Sequence, residues 1–154
     1  MEREVPLHVY GENPDIHNER AKLREEIAEL ASAVGADLSE DELRIAAEGA
    51  QPQPDIKEEN KEEGEAYGPF RIAERAARYG SRAQDAPEDS EERRIAGTQH
   101  LVFLAAHYLR AWPELSRECL EYARDLRDRG REWRDQDIPR PQSAAAQESM
   151  RRAA

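Results

Sequence analysis

The sequence predicts an all-α protein, a small helical bundle or hairpin with a long C-terminal helix pair, bent or broken at Pro113, and extended segments at both ends. Three observations carry this expectation. Helix-start residues followed by apolar positions at helical spacing recur along the chain. One stretch, Leu101 to Trp112, is apolar except for His107 and Arg110, and belongs at the centre of a core. Only Val5, Leu7 and Val9 alternate with the period of a strand, and no second strand follows to pair with them.

With 154 residues the chain fits one domain. Its 37% charged and 6% aromatic residues, with a mean hydropathy of -1.01, predict a small core carrying long solvated appendages. A net charge of -11 disfavours nonspecific adsorption to nucleic acid or to an anionic membrane. The charge is unevenly placed: residues 1–65 hold 19 acids against 7 bases, and residues 66–154 hold 15 against 16. Arginine outnumbers lysine 20 to 3, which suggests a GC-rich genome or a high-salt proteome. A single cysteine, Cys119, excludes an intrachain disulfide and a cysteine-rich zinc site. Neither a membrane-spanning apolar run nor a signal-peptide core is apparent, so the expected location is the cytoplasm or a particle assembled there.

Residues 1–12 read as an extended N-terminal arm, with Val5, Leu7 and Val9 on one face and Pro6 confining it to a sheet edge, that of a partner included. Residues 13–49 form an acidic helical hairpin. Its first helix has Asn13 as N-cap, Pro14 at the first position, a heptad seam of Ile16, Leu23, Ile27, Leu30 and Val34, and Gly35 to end it. Ser39 and Glu42 make a capping box for a short second helix reaching about Glu48. Residues 50–66 are an acidic Pro/Glu-rich linker.

Residues 67–136 make the C-terminal helical core. A third helix opens at Gly68 and Pro69 and is expected to stop at Tyr79, before Gly80. A fourth is expected to open at Pro87, Glu88 and Asp89 and to carry the apolar stretch. Pro113 should then break or kink the helix. Against a break, one heptad phase passes straight through it, from Leu101, Ala105, Tyr108 and Trp112 to Leu115, Cys119, Tyr122, Leu126, Arg129 and Trp133. Two helices and one bent rod both fit, with helix expected as far as Asp135. Residues 137–154 form a Pro-containing tail in which Ser143 could cap a last helical turn.

Among candidate chemistry, Glu25, Glu26 and Glu29 present carboxylates at i, i+1 and i+4, a spacing able to hold Mg²⁺. This E-E-x-x-E resembles the first half of the metal site in the all-helical, MazG-like nucleoside triphosphate pyrophosphohydrolases. The resemblance covers five residues and implies an E-x-x-D on a following helix. The sequence there offers Glu40, Asp41 and Glu42 with no acid three residues after either glutamate. His100 and His107 lie two turns apart, too far for joint ligation of one ion, and Cys119 sits on the apolar seam without a histidine nearby in sequence. No phosphate-binding glycine loop or serine elbow is present.

Two arginine stripes are the best candidates for contact with a partner. Arg71, Arg75, Arg78 and Arg82 line one helix, and Arg124, Arg127, Arg131 and Arg134 line another. Guanidinium groups so placed suit phosphates, an acidic protein surface or intrachain carboxylates. The second stripe is interleaved with acids, while the first has only Glu74 beside it and the acidic run Glu58 to Glu65 upstream. The expected function is non-enzymatic: an accessory or connector subunit of a larger complex, such as a ring or neck component of a virion, with protein partners, a tendency to homo-oligomerise, no membrane and no cofactor. Pyrophosphohydrolase activity and nucleic-acid association are the alternatives.

Overall fold

The computed structural model describes residues 14–48 and 68–141, and among them every regular element is helical. The arm with Val5, Leu7 and Val9, the N-cap position Asn13, the linker and the tail beyond residue 141 lie outside the described residues. Five α-helices pack together: α1 (Pro14–Ala33), α2 (Glu40–Glu48), α3 (Gly68–Asp85), α4 (Glu91–Leu109) and α5 (Pro113–Arg129).

α4 is the axis of the bundle and touches all four other helices. Leu101, Val102, Phe103, Ala105, Ala106 and Leu109 are completely buried, as required of a helix that is apolar around most of its circumference. It begins one turn later than its sequence suggests. Pro87 to Asp89 form a turn, Asp89 adopts a left-handed φ of 62°, and Ser90 caps the helix by accepting the Arg93 N–H at 3.0 Å.

α1 lays Leu23, Ile27, Leu30 and Ala31 against α4 and α5 together. Its end is a Schellman motif, with Ala36 N–H donating to Ala31 O at 2.8 Å, Gly35 N–H donating to Ser32 O at 3.2 Å, and Gly35 at φ 77°.

α3 does not stop at Tyr79 but runs six residues further, to Asp85. Gly80 serves packing: a Cβ there would stand 2.8 Å from His100 Nδ1. That nitrogen lies 2.6 Å from Ala76 O, and since a carbonyl only accepts, the imidazole proton resides on Nδ1.

At Pro113 the chain breaks into two helices. α4 ends at Leu109, residues 110–112 turn, and Pro113 takes the first position of α5, where its missing N–H is not needed. So short a loop suffices because Tyr108 O accepts both the Ala111 N–H (3.1 Å) and the Trp112 N–H (2.7 Å). α5 then packs back antiparallel on α4, and Ser116 Oγ donates to Ala105 O at 2.9 Å in the buried interface. The heptad phase across the proline therefore serves two facing helices rather than one rod.

α5 also ends early, because Gly130 takes φ 70° and caps it at Arg129. The chain from Arg131 to Pro141 returns along α4 as a strap, with one 3-10 turn at Asp135–Asp137. Trp133, 1% exposed, fills a notch made possible by Gly97, whose hypothetical Cβ would lie 2.3 Å from Trp133 Cδ1. Tyr122 OH accepts the Arg134 N–H at 2.9 Å, and Tyr108 OH donates to Pro139 O at 3.4 Å. Gly97→Ala is expected to expel the indole and cost about 1 to 3 kcal/mol, the usual range for overpacking, read as a lower urea midpoint with unchanged helix content.

Candidate functional site

The capping box of α2 does more than begin a helix. Glu42 N–H donates to Ser39 Oγ at 3.1 Å, and Ser39 N–H donates to Glu42 Oε1 at 2.9 Å, the reciprocal pair that the spacing predicts. The same carboxylate, buried to 3% exposure, receives Arg75 Nη1 at 3.1 and 3.0 Å and has Arg71 Nε at 3.3 Å. Arg71 and Arg75 stand four residues apart on α3 and converge on this one group. The Arg75 guanidinium lies 4.4 Å above the Phe103 ring, Phe103 stacks on Tyr79 at 5.5 Å, and the Arg82 guanidinium lies 5.3 Å from Tyr79 on that ring's face. Arg78 pairs with Glu74 at 3.8 Å on the surface. The first stripe thus ties α3 to α2 through Arg71 and the more deeply placed Arg75, while Arg78 and Arg82 are exposed.

The second stripe is also matched within the chain. Arg124 reaches Glu26 of α1 at 3.4 Å, Arg127 grips Asp128 at 2.5 and 2.9 Å, Arg131 meets Asp125 at 3.2 Å, and Arg134 meets Glu132 at 3.6 Å. Arg117, outside either stripe, pairs with Glu19 and adds a second link between α5 and α1. These pairs are largely exposed and contribute little individually to stability. Their effect is to leave carboxylates where a phosphate would have to compete.

Glu25 and Glu29 are exposed, and Glu26 is the partner of Arg124. Across α2, Asp41 faces Arg44 at 3.6 Å while Glu42 is buried in its arginine cluster. Among the described residues no three His, Cys, Asp or Glu side chains gather to hold a metal. Cys119 is fully buried, and burial pushes its thiol up to about 12, which leaves negligible thiolate at neutral pH. Burial lowers both His100 and His107; the neighbouring Arg110 pushes His107 further down.

Two clefts flank the α4–α5 turn. Trp112 is 36% exposed, one of two large apolar side chains so placed among the described residues, the other being Ile95. It occupies the N-cap position of α5 yet makes no side-chain cap bond, although Ser, Thr, Asn or Asp would be favoured there. Its ring stands edge-on to Tyr108 at 5.6 Å. A cleft of about 480 Å³ opens on one side, between Trp112, Pro113 and Leu115 and the charged side chains of Glu19, Arg20 and Arg117. A smaller one of about 250 Å³ opens on the other, with Ala46 and Ile72 beside His107 and Arg110. Sequence reasoning placed Trp112 on an interior seam; its one outward signal was the unsuitability of tryptophan as a helix cap.

No protein family, no curated protein and no solved structure matches this chain. No described helix is long and apolar enough to cross a membrane.

Glu42→Ala removes the capping acceptor and leaves Arg75 partly buried without its counter-charge, an expected loss of about 3 kcal/mol in chemical denaturation. Arg71→Ala, at a side chain 41% exposed, should cost less than about 1 kcal/mol. For His100, burial lowers the folded-state value below the ordinary 6.5, so the unfolded chain binds the extra proton first. Its contribution is intact above about pH 6.5 and declines as pH falls, by at most about 1.4 kcal/mol per pH unit. Urea midpoints measured at pH 7.5 and 5.5 should differ in that direction, and His100→Gln should narrow the difference.

Proposed function

We propose that this chain is a non-enzymatic interaction protein, an accessory or connector subunit of a larger assembly, and that it meets its protein partner through the α4–α5 turn around Trp112. The observation that carries the reading is Trp112 itself, a large aromatic at a tight turn with a cleft on either side. Tryptophan is among the residues that dominate binding energy at interfaces, where it needs a partly preformed surround that excludes water. Here Pro113 and Leu115 supply apolar walls, and Glu19, Arg20 and Arg117 supply a rim of mixed charge. A virion ring or neck is one setting for such a subunit.

Two further features support a protein partner over a nucleic acid. Both arginine stripes are already engaged with carboxylates or aromatic rings, and the chain as a whole is acidic at -11. Affinity capture from the native source, comparing the natural chain with Trp112→Ser, tests the proposal. The variant should keep its helix content and lose its partner by at least about 2 kcal/mol of affinity, the size of an interface hot spot. Equal capture by both would remove Trp112 from the interface. Magnesium-dependent release of pyrophosphate from nucleoside triphosphates, lost in the double variant Glu26→Gln and Glu29→Gln, would replace this reading with an enzymatic one.

A further inference from the structure

The larger cleft beside Trp112 contains a positive charge that the protein leaves unanswered. Arg20 lines it, and among the described residues no carboxylate, carbonyl or ring engages the Arg20 guanidinium. Arg24, one turn further along α1, is in the same position. Arginines elsewhere behave differently. In the same cleft Arg117 holds Glu19, while Arg93 donates to Ala86 O at 3.0 Å and Arg82 lies on the Tyr79 ring. The remaining described arginines are engaged as well. In a chain with 34 acids against 23 bases, two arginines without a partner run against the composition.

The Nε atoms of Arg20 and Arg24 are buried and have no hydrogen-bond partner. A donor so placed has given up water without return. A carboxylate that draws the side chain outward restores the missing bonds in their stronger, charge-assisted form.

The walls of the cleft narrow what carries that carboxylate. Trp112, Pro113 and Leu115 make one side apolar, and the volume of about 480 Å³ is in the range that takes a small organic group rather than a bare anion. Trp112 also borders the second cleft, so an occupant that crosses the tryptophan meets both, a reach that suits an extended peptide. Charge favours a carboxylate over a phosphate chain. Glu19 and Glu114 offset Arg20 and Arg117 in the lining, and with Arg117 holding Glu19 a single guanidinium is left for a single acid. A nucleic-acid backbone brings a charge on every unit and would face both glutamates.

We propose that this cleft recognises an acidic, apolar peptide segment of the partner protein, an apolar side chain seating on Trp112, Pro113 and Leu115 while a neighbouring carboxylate takes the Arg20 guanidinium. The inference rests on the reading of Trp112 as an interface residue and adds the chemistry of what it meets. Arg24 extends the positive edge by about 6 Å along α1.

Selection of a random-peptide display library on the purified chain tests it, followed by fluorescence anisotropy with labelled copies of the enriched peptides. Those peptides are expected to set a bulky apolar residue beside an Asp or Glu. Arg20→Gln should weaken binding about tenfold or more, and Arg20→Lys, which keeps the charge without the fork, by less. Both variants should keep the urea midpoint of the natural chain, since no partner within the protein depends on this guanidinium. Replacing the peptide's acid by its amide should cost the natural chain the same factor and cost Arg20→Gln nothing further. Binding lost in Trp112→Ser yet indifferent to Arg20→Gln and to the peptide's acid keeps Trp112 at the interface and overturns the acidic partner. Binding that survives all three changes, or no enrichment at all, removes both readings. Displacement of the peptide by a single-stranded oligonucleotide assigns the cleft to phosphate and likewise overturns the proposal.

Discussion

Burial of α4 on nearly every side is the constraint from which the other contacts follow. Leu101, Val102, Phe103, Ala105, Ala106 and Leu109 point around the helix, so no single neighbour can shield them. Each other helix contributes one apolar stripe: Leu23, Ile27 and Leu30 from α1, Leu43 and Ala46 from α2, Ile72 and Ala76 from α3, and Leu120, Ala123 and Leu126 from α5. A chain with 6% aromatic residues builds a closed core in this way by concentrating its apolar side chains on one element. The strap completes the enclosure by covering the face of α4 at Gly97.

Charge then substitutes for apolar area where that area is scarce. α2 is nine residues long, too short to be held by its own helical propensity, and the Glu42 carboxylate gives it an anchor on α3. That one group accepts a cap hydrogen bond and two guanidinium contacts, so beginning the helix and docking it are a single event. The abundance of arginine over lysine fits this use. A planar guanidinium can grip a carboxylate and lie on an aromatic ring at once, as Arg75 does between Glu42 and Phe103.

The two tryptophans differ in burial. Trp133 is buried at the price of an unsatisfied indole N–H, while Trp112 stays half in water at a turn where a small polar residue would serve the backbone better. Both lie in one heptad register, and periodicity alone treats them alike. What separates them is the reversal of chain direction on either side of α5, at Pro113 and at Gly130.

The all-helical class, the cap at Ser39 and Glu42, the end of α1 at Gly35 and the central place of the apolar helix were all legible in the sequence, because each rests on residues within a few positions of one another. A proline after an apolar helix allowed both a kink and a break. Only the fit of Ser116 and Cys119 against the opposite face of α4 decided for the break. Gly80 looked like a helix end and is a contact with His100, while Gly130 lay unnoticed inside a continuing pattern and is the true end. The destination of Arg71 and Arg75 was likewise hidden, since Glu42 is more than thirty residues from Arg75 and no local spacing relates them. By itself the sequence determined the helical class, which faces are apolar and which side chains carry charge, since hydrogen bonding and periodicity act over a turn or two. Tertiary structure alone decided which charges meet, which glycines turn the chain and which tryptophan faces outward, because those outcomes depend on what lies across the interface.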